Sequence, residues 1–179
     1  TELITAPDGQ YRFPLEPGHR YRALGGKDGM FTESRDINTA GQRISRTYTE
    51  NFQLMPVVVD KPIVIENIYY DYDRWEIRPD AALELDKVAR LFIDNPGLRF
   101  ELSSHTDSRA SDTYNLVLSD ARANSAVDYL IRKGVDPGRI SARGYGEQKL
   151  VNNCADDIPC SEEEHQANRR TEFKVIGTA

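Results

Sequence analysis

The chain has 179 residues, enough for one large domain or two small ones, and its 39% apolar and 29% charged content excludes general disorder. The net charge is −6, and all of it falls after residue 62, so that half of the chain repels polyanions and excludes nucleic acid as a partner. No run approaches the roughly 20 apolar residues of a membrane-spanning helix, and the chain opens at Thr1 without Met, as a processed fragment would.

Residues 1–60 read as β. Gln10-Tyr11-Arg12-Phe13 alternates, Pro14 to Gly18 turns, and His19 to Leu24 alternates again. Gly25-Gly26-Lys27-Asp28-Gly29 predicts a second turn before Met30-Phe31, and Tyr48 to Val59 is strand-like. Short strands at this spacing predict a small all-β sandwich segment. The string from Asp8 to Tyr21 resembles the second half of a carboxypeptidase-regulatory-like domain, with the opening strands of that sandwich missing or upstream. The resemblance implies a structural spacer without chemistry.

From Ile63 the period changes. Ile63-Val64-Ile65 and Ile68-Tyr69-Tyr70 predict a buried strand. Pro79 suits a first helical turn, Asp80 favours its positive end, and Ala81, Leu85, Val88 and Phe92 follow at helical spacing until Asn95-Pro96-Gly97. Leu98, Phe100 and Leu102 alternate into a strand ending near Asp107. A helical stretch then runs to Lys133 and stops at Gly134, followed by strands over Ile140 to Tyr145 and Arg170 to Ile176.

Asp107 and Arg122 set one anion and one cation on either side of a strand-to-helix connection, the pairing that a ligand with an amine and a carboxylate on one carbon needs. On one unbroken helix from Ser111, Arg122 sits about 16 Å along the axis, too far to share a small ligand with Asp107. The spacing therefore predicts a break over residues 112–117 and a new N-cap at Ser119. Arg122 then falls in a first turn, whose free N–H groups add to its pull on a carboxylate.

Cys154 and Cys160 lie six apart in an Asn-, Asp-, Pro- and Glu-rich stretch that reads as an exposed loop. A disulfide there implies an oxidising compartment. The competing reading is a metal site of Cys154, Cys160 and His165, although zinc sites usually space cysteines by two to four residues.

Five motifs in order resemble the OmpA-like C-terminal domain, the peptidoglycan-binding module of outer-membrane proteins, lipoproteins and flagellar stators, over about residues 63–177. They are Tyr70-Asp71-Tyr72-Asp73, His105-Thr106-Asp107, Asn115-x-x-Leu118-Ser119-x-x-Arg122-Ala123, Gly144-Tyr145-Gly146-Glu147 and Asn168-Arg169-Arg170. The resemblance implies an α+β fold: a βαβαβ(α)β domain over 63–179 with a mixed sheet and helices on one face, behind the β segment of 1–60. It also implies that Asp107 accepts the ammonium of diaminopimelate in the wall's stem peptide and that Arg122 holds its carboxylate. By the same token Asn115 and Arg169 hydrogen-bond the adjoining peptide, and Asp73 and Thr106 line the pocket. No catalytic residue, cofactor or metal is implied. The parent protein is expected at the outer membrane, facing the periplasm. The loop from Asn152 to Asn168 resembles Bacteroidota versions of the domain, some of which anchor secretion machinery. The family's usual glycines are replaced here by Ser104 and Ala110.

Plainer readings stand beside these. Asp107 alone would be a turn residue and Arg122 alone a surface ion pair worth under about 1 kcal/mol. Arg170 is expected to pair with an acid such as Glu172, His105 to pack in its strand, Tyr70 and Trp75 to pack, and Glu162-Glu163-Glu164 to form a solvated first helical turn. Two other functions are open: a protein–protein module with a vestigial pocket, and a metal-dependent hydrolase using His105, Asp107 and perhaps His165. The chain lacks H-x-x-E-H and H-E-x-x-H spacing.

Overall fold

The computed structural model describes residues 2–68, 70 and 74–179. Near the start of the chain, β1 (Arg20–Gly25) and β2 (Glu33–Asn38) pair antiparallel as a hairpin. Six more elements and a 3-10 turn (Pro137–Arg139) follow Ile63–Ile65 (β3): α1 (Pro79–Asp94), β4 (Leu98–Ser104), α2 (Asp112–Arg132), β5 (Ile140–Gly144), α3 (Glu162–Asn168) and β6 (Thr171–Thr178). The sheet order is β3-β6-β4-β5, parallel between β4 and β5 and antiparallel elsewhere. This is the α+β fold with a mixed sheet that the motifs imply.

Period-two alternation puts Phe100 and Leu102 of β4 on one sheet face, where they meet Phe173 and Val175 of β6. Both long helices cover that face. α1 buries Ala81, Leu85, Val88, Ala89 and Phe92, a stripe at helical spacing, and α2 adds Ala123, Ala126, Val127 and Leu130. The rings of Phe92 and Phe100 stack with centroids 3.7 Å apart. Pro79 opens α1 where its missing N–H costs nothing, and the Ser111 side chain caps α2 by accepting from the Tyr114 N–H.

The expected break in α2 does not occur. The helix runs unbroken for 21 residues from Asp112 to Arg132, and Ser119 is an interior residue, fully buried. Its hydroxyl donates back to the Leu116 carbonyl and accepts from the Gly146 N–H, so it ties the helix to the turn after β5. An axial separation of about 16 Å holds only for an Asp107 that lies before the first turn. Instead the loop after β4 folds back along the helix, and Asn115 Nδ2 donates to the Asp107 carbonyl at 3.0 Å. Asp107 is therefore beside the end of the first turn, and about 10 Å of axis separates Asn115 from Arg122.

The N-terminal region also departs from expectation. Residues 10–13 form no strand, and Tyr48 to Val59 contributes only isolated bridges, Met30 to Pro56 and Val59 to Val175. The strand that pairs with β1 is Glu33–Asn38, whose polar composition gives no apolar alternation to detect. Phe31 is buried in the same core as α1 and the sheet. Next to it, the Asn95 side chain clamps the Thr32 backbone, accepting from its N–H and donating to its carbonyl at 2.9 Å each. Arg90 pairs with Asp36 across the same junction.

Candidate functional site

Three chain segments converge where β4 and β6 meet: the loop after Ser104, the middle of α2, and the link from α3 into β6. Together with Tyr70 they enclose a cleft of about 60 Å³ lined by His105, Arg122, Gln166, Arg169, Arg170 and Thr171, among others. Its charged lining is cationic, in a chain whose net charge is negative.

Arg122 comes from α2 and is nine-tenths buried. Its guanidinium lies 4.7 Å over the Tyr70 ring centroid and its Nε donates to the Arg74 carbonyl at 3.0 Å. Burial pulls its pKa down, with the nearby Tyr70 and Asp107 acting the other way. Among the described residues no carboxylate pairs with it. Among the described residues an electron-rich ring and one carbonyl therefore hold this cation at the cleft, without a carboxylate in direct contact.

Asp107 is equally buried but stands one contact behind the cleft, covered by Arg169. Its Oδ2 accepts from Arg109 Nε and NH2 at 3.0 and 2.8 Å and from Arg169 NH1 at 2.5 Å. Among the described residues Oδ1 accepts only the Arg109 backbone N–H, at 3.3 Å. Burial pushes the carboxyl pKa up, but the hydrogen bonds from Arg109 and Arg169 outweigh that and hold it below its ordinary value. Both arginines also reach Glu162: Arg109 NH1 at 2.8 Å and Arg169 NH2 at 2.5 Å. The result is a closed ring of two carboxylates and two guanidinium groups.

Asp107 and Arg169 thus meet directly, and Arg169 and Arg122 share the cleft. Asn115 sits under the loop, donating to the carbonyls of Asp107 and Ala110 and to Glu147. Thr106 is buried next to Asp107, its N–H bonded to the Gly146 carbonyl and its hydroxyl without a partner among the described residues. Asp73 lies outside the described residues. Sequence reasoning missed Arg109, Glu162 and the stacking of Tyr70 on Arg122. Arg109 was detectable as a cation two residues after Asp107; the Glu162 contact, 53 residues away, left no local signal.

His105 packs as expected, stacked on Tyr145 at 5.3 Å with Nε2 3.1 Å from Glu172, and burial lowers its pKa. Arg170 pairs with Glu172 at 3.1 Å. Cys154 and Cys160 are joined as a disulfide, so the alternative cysteine–histidine metal site does not form. The disulfide loop supports the Asp107 loop directly, because Ser108 Oγ donates to the Cys154 carbonyl at 2.7 Å.

The pattern of the OmpA family matches residues 69–164, more than half of the chain. The peptidoglycan-associated lipoprotein of Rhizobium meliloti (strain 1021) is 35% identical over 102 residues, covering 57% of this chain and 57% of the lipoprotein. Outer membrane porin F of Pseudomonas aeruginosa is 32% identical over 125 residues, covering 69% of this chain and 34% of the porin. The solved cell wall anchor of the T6SS from Pseudomonas aeruginosa superposes with a TM-score of 0.53 at 27% identity, covering 65% of this chain and 79% of that one. The chain spans less than two thirds of the length of these curated relatives. With the family pattern running from Tyr69 through the Asp107 loop, α2 and the disulfide loop, the chain belongs to the OmpA family.

Proposed function

We propose that the chain is a non-catalytic peptidoglycan-binding module that anchors an outer-membrane-associated protein or complex to the cell wall by gripping the diaminopimelate of the stem peptide. The observation that carries this is a buried guanidinium, Arg122, lining a small cleft, with a buried carboxylate, Asp107, directly behind it under Arg169. In this reading Asp107 takes the ligand ammonium and Arg122 its carboxylate, with Asn115, Arg169, Thr106 and Asp73 around the adjoining peptide. Residues 63–179 carry the binding, and residues 1–60 are a structural extension. The named functions of the relatives, a peptidoglycan-associated lipoprotein and a cell wall anchor, support the anchoring role, and the T6SS anchor extends the candidates for the tethered complex to secretion machinery. The disulfide suits the oxidising periplasm. No helix among the described residues is long and apolar enough to cross a membrane.

One observation favours a vestigial pocket instead: Asp107 is already neutralised by the chain's own arginines. Calorimetric titration with meso-diaminopimelate separates the two readings. Binding that Asp107→Ala and Arg122→Ala each weaken by about 2–5 kcal/mol supports the anchor; no heat from the wild-type chain, or undiminished binding by both variants, overturns it.

A further inference from the structure

We propose that Glu162 is a positioning residue for ligand capture: it holds Arg109 and Arg169 when a ligand ammonium takes their place on Asp107. This rests on the reading of the cleft given above. In the ligand-free chain Arg169 lines the cleft and covers Asp107, so an incoming ammonium reaches the carboxylate only if that guanidinium shifts. A guanidinium displaced from a buried carboxylate loses its strongest acceptor, so the exchange is costly unless another acceptor takes over.

The ring supplies the compensation. Each arginine already places one N–H on Glu162, through NH1 of Arg109 and NH2 of Arg169, and Arg169 NH2 also reaches Gln166 Oε1 at 2.5 Å. Loss of Asp107 therefore needs only a swing of each planar fork about contacts that persist, not a new partner. A carboxylate accepts about four hydrogen bonds, and Glu162 accepts one on each oxygen from these two arginines, which leaves it room for more. The Glu162 side chain is 61% exposed, so it accommodates the extra contacts in solvent, while Asp107 is buried. All the guanidinium contacts on Asp107 among the described residues fall on Oδ2, and Oδ1 accepts a long backbone bond there, so Oδ1 keeps acceptor capacity for the ammonium.

Ammonium capture adds one positive charge to a neutral ring, and the ligand carboxylate on Arg122 balances it. The site is thereby selective for a compact zwitterion over a plain amine, which brings no charge for Arg122.

The two partners of one ion pair should then act in opposite directions. In titrations of the full chain with meso-diaminopimelate, Glu162→Gln is expected to weaken binding about tenfold, because the displaced arginines lose their acceptor, and Glu162→Asp to restore most of it. Arg109→Gln is expected to tighten binding about threefold, because one competitor for Asp107 is gone. Glu162 is exposed, so its variants should retain the fold, checked by circular dichroism. Wild-type affinity in Glu162→Gln, or weaker binding in both Glu162→Gln and Arg109→Gln, overturns the exchange. If Asp107→Ala binds as well as wild type, the reading of the cleft falls with it; if Asp107→Ala abolishes binding while Glu162→Gln changes nothing, only the exchange falls.

Discussion

Asp107 lies behind the cleft that Arg122 lines, and the chain treats the two charges in opposite ways. Asp107 receives three guanidinium contacts and hides behind Arg169, whereas Arg122 rests on the face of Tyr70 and one backbone carbonyl, with no acid paired to it among the described residues. Their supports differ too. The anion rides on a loop that hangs from the disulfide segment through Ser108, and the cation rides on a rigid helix packed against β5. The contrast teaches that burial of a charge has two solutions: neutralise it in advance with groups that can move, or hold it by weak contacts and leave its charge free for a guest.

Each support can be removed separately. The largest effect is expected on the helix side, at Gly144, where an added Cβ would come within 2.2 Å of the Asp120 backbone nitrogen and 2.5 Å of its Cα. Backbone on both sides leaves nothing flexible to yield, so Gly144→Ala should force α2 away from β5. It should lower stability by about 3 kcal/mol in urea unfolding, and an unchanged midpoint would show that the helix has slack. On the loop side, replacing Cys154 and Cys160 together by Ser should cost about 2 kcal/mol, the loop-closure entropy of a short ring. It should also raise hydrogen exchange at Ser108 and Arg109 before it does so along α2; equal protection in both segments would contradict the division. The smallest change is expected from Tyr70→Leu, which removes the ring under Arg122. A loss of about 1 kcal/mol in diaminopimelate affinity at unaltered Asp107 environment, read by carboxyl-carbon NMR, would isolate the cation–π contact; an affinity equal to wild type would reduce Tyr70 to packing.

Much of this was legible in the chain. The stripe Ala81, Leu85, Val88, Phe92 and the alternation of Phe100 with Leu102 specify α1 and β4 by local pattern, whereas Asp107 and Arg122 stand out through the family motifs around them. Strand β2 was not legible, because Glu33 to Asn38 is polar and pairs through its backbone. The continuity of α2 was hidden by an assumption about where the preceding loop goes, which depends on one side-chain bond from Asn115 to the Asp107 carbonyl. Glu162 read as one of three solvated acids because nothing local distinguishes it from Glu163. Its role comes from Arg109 and Arg169, one of which arrives from 53 residues away. Contacts that cross the fold between side chains of different elements leave no periodic trace, and in this site they are what covers the anion.

The Asn95 clamp on Thr32 lies at the beginning of β4, and the cleft lies beyond the other end of that strand, at Ser104 and His105. Under the proposed anchoring role, a load applied between the cleft and the N-terminal hairpin would run lengthwise along the strands of the sheet, β4 among them. The seven register pairs that join β4 to β6 would meet it in shear, all at once, instead of being unzipped one after another. For a tether, that orientation of the central strand is the mechanically strong one.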